Sequence, residues 1–142
     1  MALIEFKNLP DTSTPLTAEN LNNNFEYLKS MNDFSTNETV IGKYIDGRPI
    51  YRKVYDCGNL PNTTSKNIAT NLIFNNSNCI MIKIYGYCYF TNGTQLPLPF
   101  PGISATGNIA LHIANNNIVI TTAGDRSESY GYVIIEYIKM TD

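Results

Sequence analysis

The sequence predicts a mainly β chain: an antiparallel jelly-roll-like β-sandwich behind one short N-terminal α-helix. Three observations lead there. From Asn37 onward the apolar residues recur with period two. Clusters of Asn, Asp, Gly and Ser break that alternation at short intervals, as tight turns do. Helical 3-4 spacing is confined to one stretch near the N-terminus, residues 18–31. The chain therefore divides into residues 1–36, an extended segment and helix, and residues 37–142, a single β head.

The first sixteen residues read as extended, because Pro10 and Pro15 hold themselves and the residues before them away from helix. Thr17 fits an N-cap, with Ala18 at the first helical position and Glu19 near the positive end of the helix dipole. The helix is expected over residues 18–31. Ala18, Leu21, Phe25 and Leu28 form a narrow apolar stripe on it, with Asn22, Asn23, Asn24, Glu26 and Lys29 outside. Two readings are open: the stripe lies on the chain's own β domain, or three copies meet in a short parallel bundle. Two heptads are marginal in water, so a bundle would need the heads to associate as well.

Strands are expected over residues 40–45, 49–57, 67–74, 79–91, 94–100, 108–114, 117–123 and 130–139. Turns fall at Asp46-Gly47, Asn75 to Asn78, Asn92-Gly93, Asn115-Asn116 and Gly124-Asp125. Pro97, Pro99 and Pro101 cannot sit in a central strand, which makes that segment an edge or an extended loop. Alternation splits residues 79–90 into two faces. Ile80, Ile82, Ile84, Gly86, Cys88 and Phe90 belong to the core, and Met81, Lys83, Tyr85, Tyr87 and Tyr89 face away. Three tyrosines in a row suit packing against another subunit, half-buried sheet surface, or stacking on a sugar ring. The last strand is largely apolar on both sides, with Tyr132, Ile134, Glu136 and Ile138 on one and Val133, Ile135, Tyr137 and Lys139 on the other. That excess is consistent with burial in an oligomer.

Composition narrows the partners. Hydrophobic residues make up 43% of the chain and charged residues 15%, and the net charge is −2. Polarity is carried by 19 asparagines with many Thr and Ser, types that AT-rich codons also favour. With no cluster of Lys and Arg, the footprint of a nucleic-acid or anionic-membrane binder is missing. Cys57, Cys79 and Cys88 are odd in number and widely spaced, and His112 is the one histidine, so neither a disulfide scaffold nor a zinc site is expected. Reduced, buried thiols suit synthesis in a reducing cytoplasm. With neither a signal-peptide pattern nor a membrane-length apolar run, a soluble protein that is not exported is expected.

Catalytic patterns are scarce. His112 alternates with alanines on the lesser-buried side of its strand. Asp125, Arg126 and Glu128 read as a charged loop with a local Asp/Glu–Arg pairing, not as an acid/base pair. Nucleophile-elbow, zincin, phosphate-loop and calcium-loop patterns are absent, so no catalytic residue, metal or cofactor is expected.

Two stretches carry a resemblance. Residues 4–22, with Asn8-Leu9-Pro10-Asp11-Thr12, Thr14-Pro15-Leu16 and Ala18-Glu19-Asn20-Leu21-Asn22, are similar to the lead-in of tail-fibre, baseplate and receptor-binding proteins from phages of Gram-positive hosts. There an extended N-L-P-D-T-x-T-P-L segment precedes a helix opening A-x-N-L-N. Gly42-Lys43-Tyr44-Ile45-Asp46-Gly47-Arg48-Pro49-Ile50-Tyr51-Arg52-Lys53 resembles the G-x-W-I-D-G-K-P-I-Y-R-K hairpin that opens many of their β heads. Long fibres of this kind have a repetitive shaft, and this sequence shows no shaft repeat.

The resemblance implies a homotrimer located in the virion, with Leu21, Phe25 and Leu28 on the bundle axis and Tyr85, Tyr87 and Tyr89 at subunit contacts. Its implied role is a tail-fibre tip or receptor-binding protein, partnered by other tail or baseplate proteins and by a host surface polysaccharide. Asn115, Asn116, Asp125, Arg126 and Tyr130 are the candidate sugar contacts, since neutral amides and tyrosine rings bind sugars with little net charge. The alternative is a structural baseplate or head-fibre element that binds only virion proteins.

Overall fold

The computed structural model describes residues 17–30 and 32–141. The extended lead-in expected over residues 1–16 lies outside them. The chain forms α1 (Ala18–Ser30), then β1 (Thr39–Lys43), β2 (Pro49–Asn59), β3 (Ser65–Ala69), β4 (Cys79–Phe90), β5 (Gln95–Leu98), β6 (Ile109–Ala114), β7 (Asn117–Thr122) and β8 (Ser129–Lys139). Each of the eight expected strands has its counterpart.

Two antiparallel sheets result, in the orders β1-β2-β8-β4-β5 and β3-β7-β6. Their facing sides share one core, a sandwich-like arrangement. Tyr55, Cys57, Cys88, Leu98, Val133, Ile135 and Tyr137 come from the larger sheet, and Ile109, Ile118 and Ile120 from the smaller. Burying each of these large apolar side chains contributes roughly 1.5–3 kcal/mol. One end of the core is closed by aromatic rings: Tyr51 stacks on Tyr137 at 5.7 Å and Phe74 meets Tyr137 edge-on at 6.1 Å. Glu38 accepts a hydrogen bond from the Tyr137 hydroxyl and pairs with Lys139 at 2.6 Å, which ties the segment before β1 to the end of β8.

Alternation fails at one instructive place. The pairing of β4 with β8 slips between Met81 and Lys83, so Ile82 is an extra residue in a β-bulge. Before the bulge Cys79 and Met81 face the core; after it Ile84, Cys88 and Phe90 do. Ile80 and Ile82, expected inside, are instead 38% and 40% exposed on the outer face. The third strand also ends earlier than expected, at Ala69. Asn71 turns the chain with φ +58, and Leu72 donates its backbone N–H to the buried Thr70 hydroxyl at 3.1 Å.

The prolines act as expected of an edge. The Phe90 N–H donates to the Thr94 carbonyl at 2.8 Å to close the β4–β5 hairpin, and the register then places Pro97 opposite Tyr87 in a non-bonded pair. The Pro97 nitrogen therefore points away from β4, along the free margin of the sheet. The helix begins where the sequence places it, with the Asn20 backbone N–H donating to Thr17 Oγ1 at 3.1 Å. It meets β1, yet Leu21, Phe25 and Leu28 remain 37%, 60% and 48% exposed. The stripe is not buried against the chain's own head. No described helix is long and apolar enough to cross a membrane.

Candidate functional site

The outer face of the larger sheet is the most chemically distinctive surface among the described residues. β8 runs through the middle of this sheet, between β2 and β4. The register sets Tyr132 beside Tyr87 and Tyr130 beside Tyr89. Their rings lie 5.5 Å and 5.9 Å apart, and Tyr130 continues to Tyr132 at 5.6 Å. Four tyrosines thus form a ladder of offset rings, a favoured aromatic geometry. Tyr87 and Tyr89 are 46% and 41% exposed, so the ladder is open on its β4 side.

Next along the sheet is a polar cluster. Glu136 Oε1 accepts from Arg52 Nε at 3.1 Å, from Arg52 Nη2 at 2.9 Å and from the Tyr85 hydroxyl at 3.0 Å. Arg52 and Glu136 face each other in the β2–β8 register, and their side chains keep only 15% and 14% of their exposure. The guanidinium also lies 4.5 Å from the centre of the Phe34 ring, which brings the segment after the helix over the sheet. Lys83 sits 4.4 Å from the Tyr85 ring centre. Burial raises the Tyr85 hydroxyl above its ordinary value, and the Glu136 carboxylate adds to that. Burial likewise raises Tyr132, while the hydrogen bond to Asp56 pushes Tyr130 up to about 12.

Between these groups lies an open cleft of about 610 Å³, lined by Phe34, Thr36, Val54, Tyr85, Tyr87 and Tyr132 among others. That volume lies within the roughly 300–1,000 Å³ typical of small-molecule sites.

The residues singled out from the sequence fall in several places. Tyr85, Tyr87 and Tyr89 are together on this outer face, and Tyr130 joins them from β8. Asn115 and Asn116 lie elsewhere, in the β6–β7 turn, both with positive φ (50 and 64). Asn116 works there as a brace: its Oδ1 accepts from the Phe74 N–H at 2.8 Å and its carbonyl accepts from the Thr70 hydroxyl at 2.5 Å. Asp125 and Arg126 sit at the opposite end of β7, so the structure does not bring the two loop pairs together. Asp125 accepts from Ser127 N and Oγ, which holds its carboxyl below the usual range. Arg126 donates to the Gly107 carbonyl at 3.2 Å and lies over the Phe90 ring, in place of the acidic pairing expected of that loop. His112 is exposed on the outward side of the smaller sheet.

The sequence reading missed Phe34, Arg52, Tyr132 and Glu136. The Tyr132-x-Ile134-x-Glu136 alternation was visible, but only strand order shows that it lies beside Tyr85 and Tyr87. Among the described residues no group of three or more His, Cys, Asp or Glu side chains gathers as a metal site would. Searches of protein-family models, curated proteins and solved structures found no match to this chain.

Proposed function

We propose that this chain is a non-enzymatic bacteriophage virion protein, a tail-fibre tip or receptor-binding head that recognises a host surface glycan as a homotrimer. It is made in the host cytoplasm and carried in the virion beside other tail or baseplate proteins. The observation that carries this reading is the open, tyrosine-lined outer face, assigned to the ligand in place of the subunit contacts expected of Tyr85, Tyr87 and Tyr89, which offers rings and hydroxyls with little net charge. Uncharged sugars present both flat C–H faces and hydroxyls to such a surface. The resemblance of residues 4–22 and 42–53 to phage lead-ins and head hairpins supports it independently.

Two further features fit. Strand pairs β2–β8, β3–β7 and β4–β5 nest within one another and alternate between the sheets, which supports a jelly-roll-like winding. The exposed Leu21, Phe25 and Leu28 supply what a threefold helix bundle would bury.

The test is competition for adsorption. Purified protein added before the phage that carries it should reduce adsorption to host cells, and it should be retained on host wall extract in a pull-down. Absence of both would refute receptor binding. A second reading, a structural element that binds only virion proteins, is favoured by Ile80 and Ile82, which extend the outer face with apolar surface. Such a component would bind virion proteins and leave adsorption unchanged.

A further inference from the structure

We propose that the cleft between Phe34 and the Tyr87–Tyr132 pair is itself a binding site for a neutral saccharide, a placement that rests on the glycan-binding reading for its ligand class.

Two properties of the cleft and two of the polar cluster beside it select that ligand. Its floor carries the paired rings of Tyr87 and Tyr132, 5.5 Å apart, and its wall is Phe34, 62% exposed. A flat apolar ligand face can therefore be covered from two directions. The hydroxyls of Tyr87 and Tyr132 make no hydrogen bond with other described side chains, so both are available as donors and acceptors. Beside the cleft, behind its Tyr85 and Phe34 walls, Arg52 and Glu136 cancel each other's charge while keeping further donor and acceptor capacity, since Glu136 Oε2 and Arg52 Nη1 take no part in their pairing. Arg52, Glu136 and Tyr85 are locked together and half-buried before any ligand arrives, so little ordering entropy is lost on binding.

A ligand with one flat apolar face, edges bearing hydroxyls and no net charge matches all four properties, and a pyranose ring is such a ligand. The charge of Arg52 is answered by Glu136, which leaves Lys83, over the Tyr85 ring, as the cation beside the cleft, and the sulfated comparison in the test reads whether it draws an anion. A second copy of the chain would need the locked polar trio to be covered and satisfied by its own surface.

The test uses the full-length protein and a panel of uncharged oligosaccharides built from glucose, galactose, rhamnose and N-acetylglucosamine. A sulfated oligosaccharide serves as the charged comparison. Saturation-transfer NMR and titration calorimetry should find binding of at least one neutral member, with its ring C–H protons nearest the protein and an affinity insensitive to salt. Phe34→Ala and Tyr87→Ala change exposed side chains and should fold; each should weaken binding about tenfold or more, equivalent to about 1.4 kcal/mol. His112→Ala, on the other sheet, should bind as the parent does.

Failure of every neutral sugar overturns the proposal. So does sugar binding that both cleft variants leave intact, or binding confined to the sulfated member and lost in salt. An oligomer that Tyr87→Ala dissociates, with no sugar bound by the parent, assigns the face to a second copy. Sugar binding lost in the cleft variants without any adsorption competition keeps the site and removes the receptor-binding reading. Competition that survives those variants does the reverse.

Discussion

Gly86 is the tightest point in the wall that carries the candidate site, and Gly86→Ala is the sharpest test of that packing. A Cβ at this position would lie 2.1 Å from the Tyr132 carbonyl oxygen and 3.1 Å from Val133 Cα. Unstrained contact begins near ~3.5 Å, so more than ~1 Å of space has to be found. Both obstacles are backbone, held in the β4–β8 ladder at the Gly86–Val133 pair, and no rotamer change can move them. Overpacking typically costs about 1–3 kcal/mol, and a backbone obstacle puts this case at the upper end, about 3 kcal/mol. With an m-value near 2 kcal/mol/M, the urea midpoint should fall by roughly 1.5 M at unchanged slope. Far-ultraviolet circular dichroism measures it. Gly42→Ala is the control: nothing lies within 4 Å of its Cβ position, so its effect should stay within about 0.5 kcal/mol. A Gly86→Ala midpoint equal to that of Gly42→Ala would refute the claim that β4 and β8 are this close.

Three further outcomes follow from the same structure. Burial pushes Tyr55 up to about 12, the Asp56 hydrogen bond does the same for Tyr130, and Tyr137 is raised by burial and by Glu38. An unfolded chain releases these protons near pH 10, so their contribution is complete below pH 10 and is lost as pH rises towards 12. Tyrosinate absorbance should show a late group of tyrosines that titrate together with unfolding; ten ordinary titrations would contradict this. Burial pushes the Cys57 thiol up to about 11 and also raises Cys79 and Cys88. An aromatic disulfide reagent should therefore label the thiols slowly in the native protein and fully in denaturant, and rapid native labelling would count against the core as described. Under the trimeric assembly proposed above, Phe25→Glu should give smaller species than the parent in analytical ultracentrifugation, with little loss in head stability because Phe25 is 60% exposed. A parent chain that sediments as a monomer at micromolar concentration refutes the bundle.

Much of this architecture could be read from local chemistry. Thr17 is the cap it looks like, Asn115-Asn116 is a positive-φ turn, and the proline-bearing β5 is an edge. These features depend on neighbours within a few residues, which a sequence displays. The bulge at Ile82 does not announce itself, because alternation reads smoothly from Cys79 to Phe90 and only the partner strand reveals the extra residue. One inserted residue sent Ile80 and Ile82 outward against their hydrophobicity. The candidate site was half visible for the same reason. The row at Tyr85, Tyr87 and Tyr89 is local, whereas its partners Arg52, Tyr132 and Glu136 arrive through strand order, which period-two patterns leave open. Asn116, read as a surface amide that could meet a ligand, is exposed, and its Oδ1 also braces Phe74 across a gap of 42 residues, a role no local pattern shows.

The margin of the larger sheet formed by β5 has a consequence for crowding. Residues 95 and 97 share the parity that turns their nitrogens outward, and the second of them is proline. A strand from another molecule that aligned here would find carbonyl acceptors but, over that span, only the Gln95 amide as a donor. Sheet-to-sheet extension, the common route by which β proteins polymerise into fibrils, is thereby frustrated at this border. At this border neighbouring copies can meet only through side-chain surfaces, and any shared ladder would have to form at the β1, β3 or β6 margins.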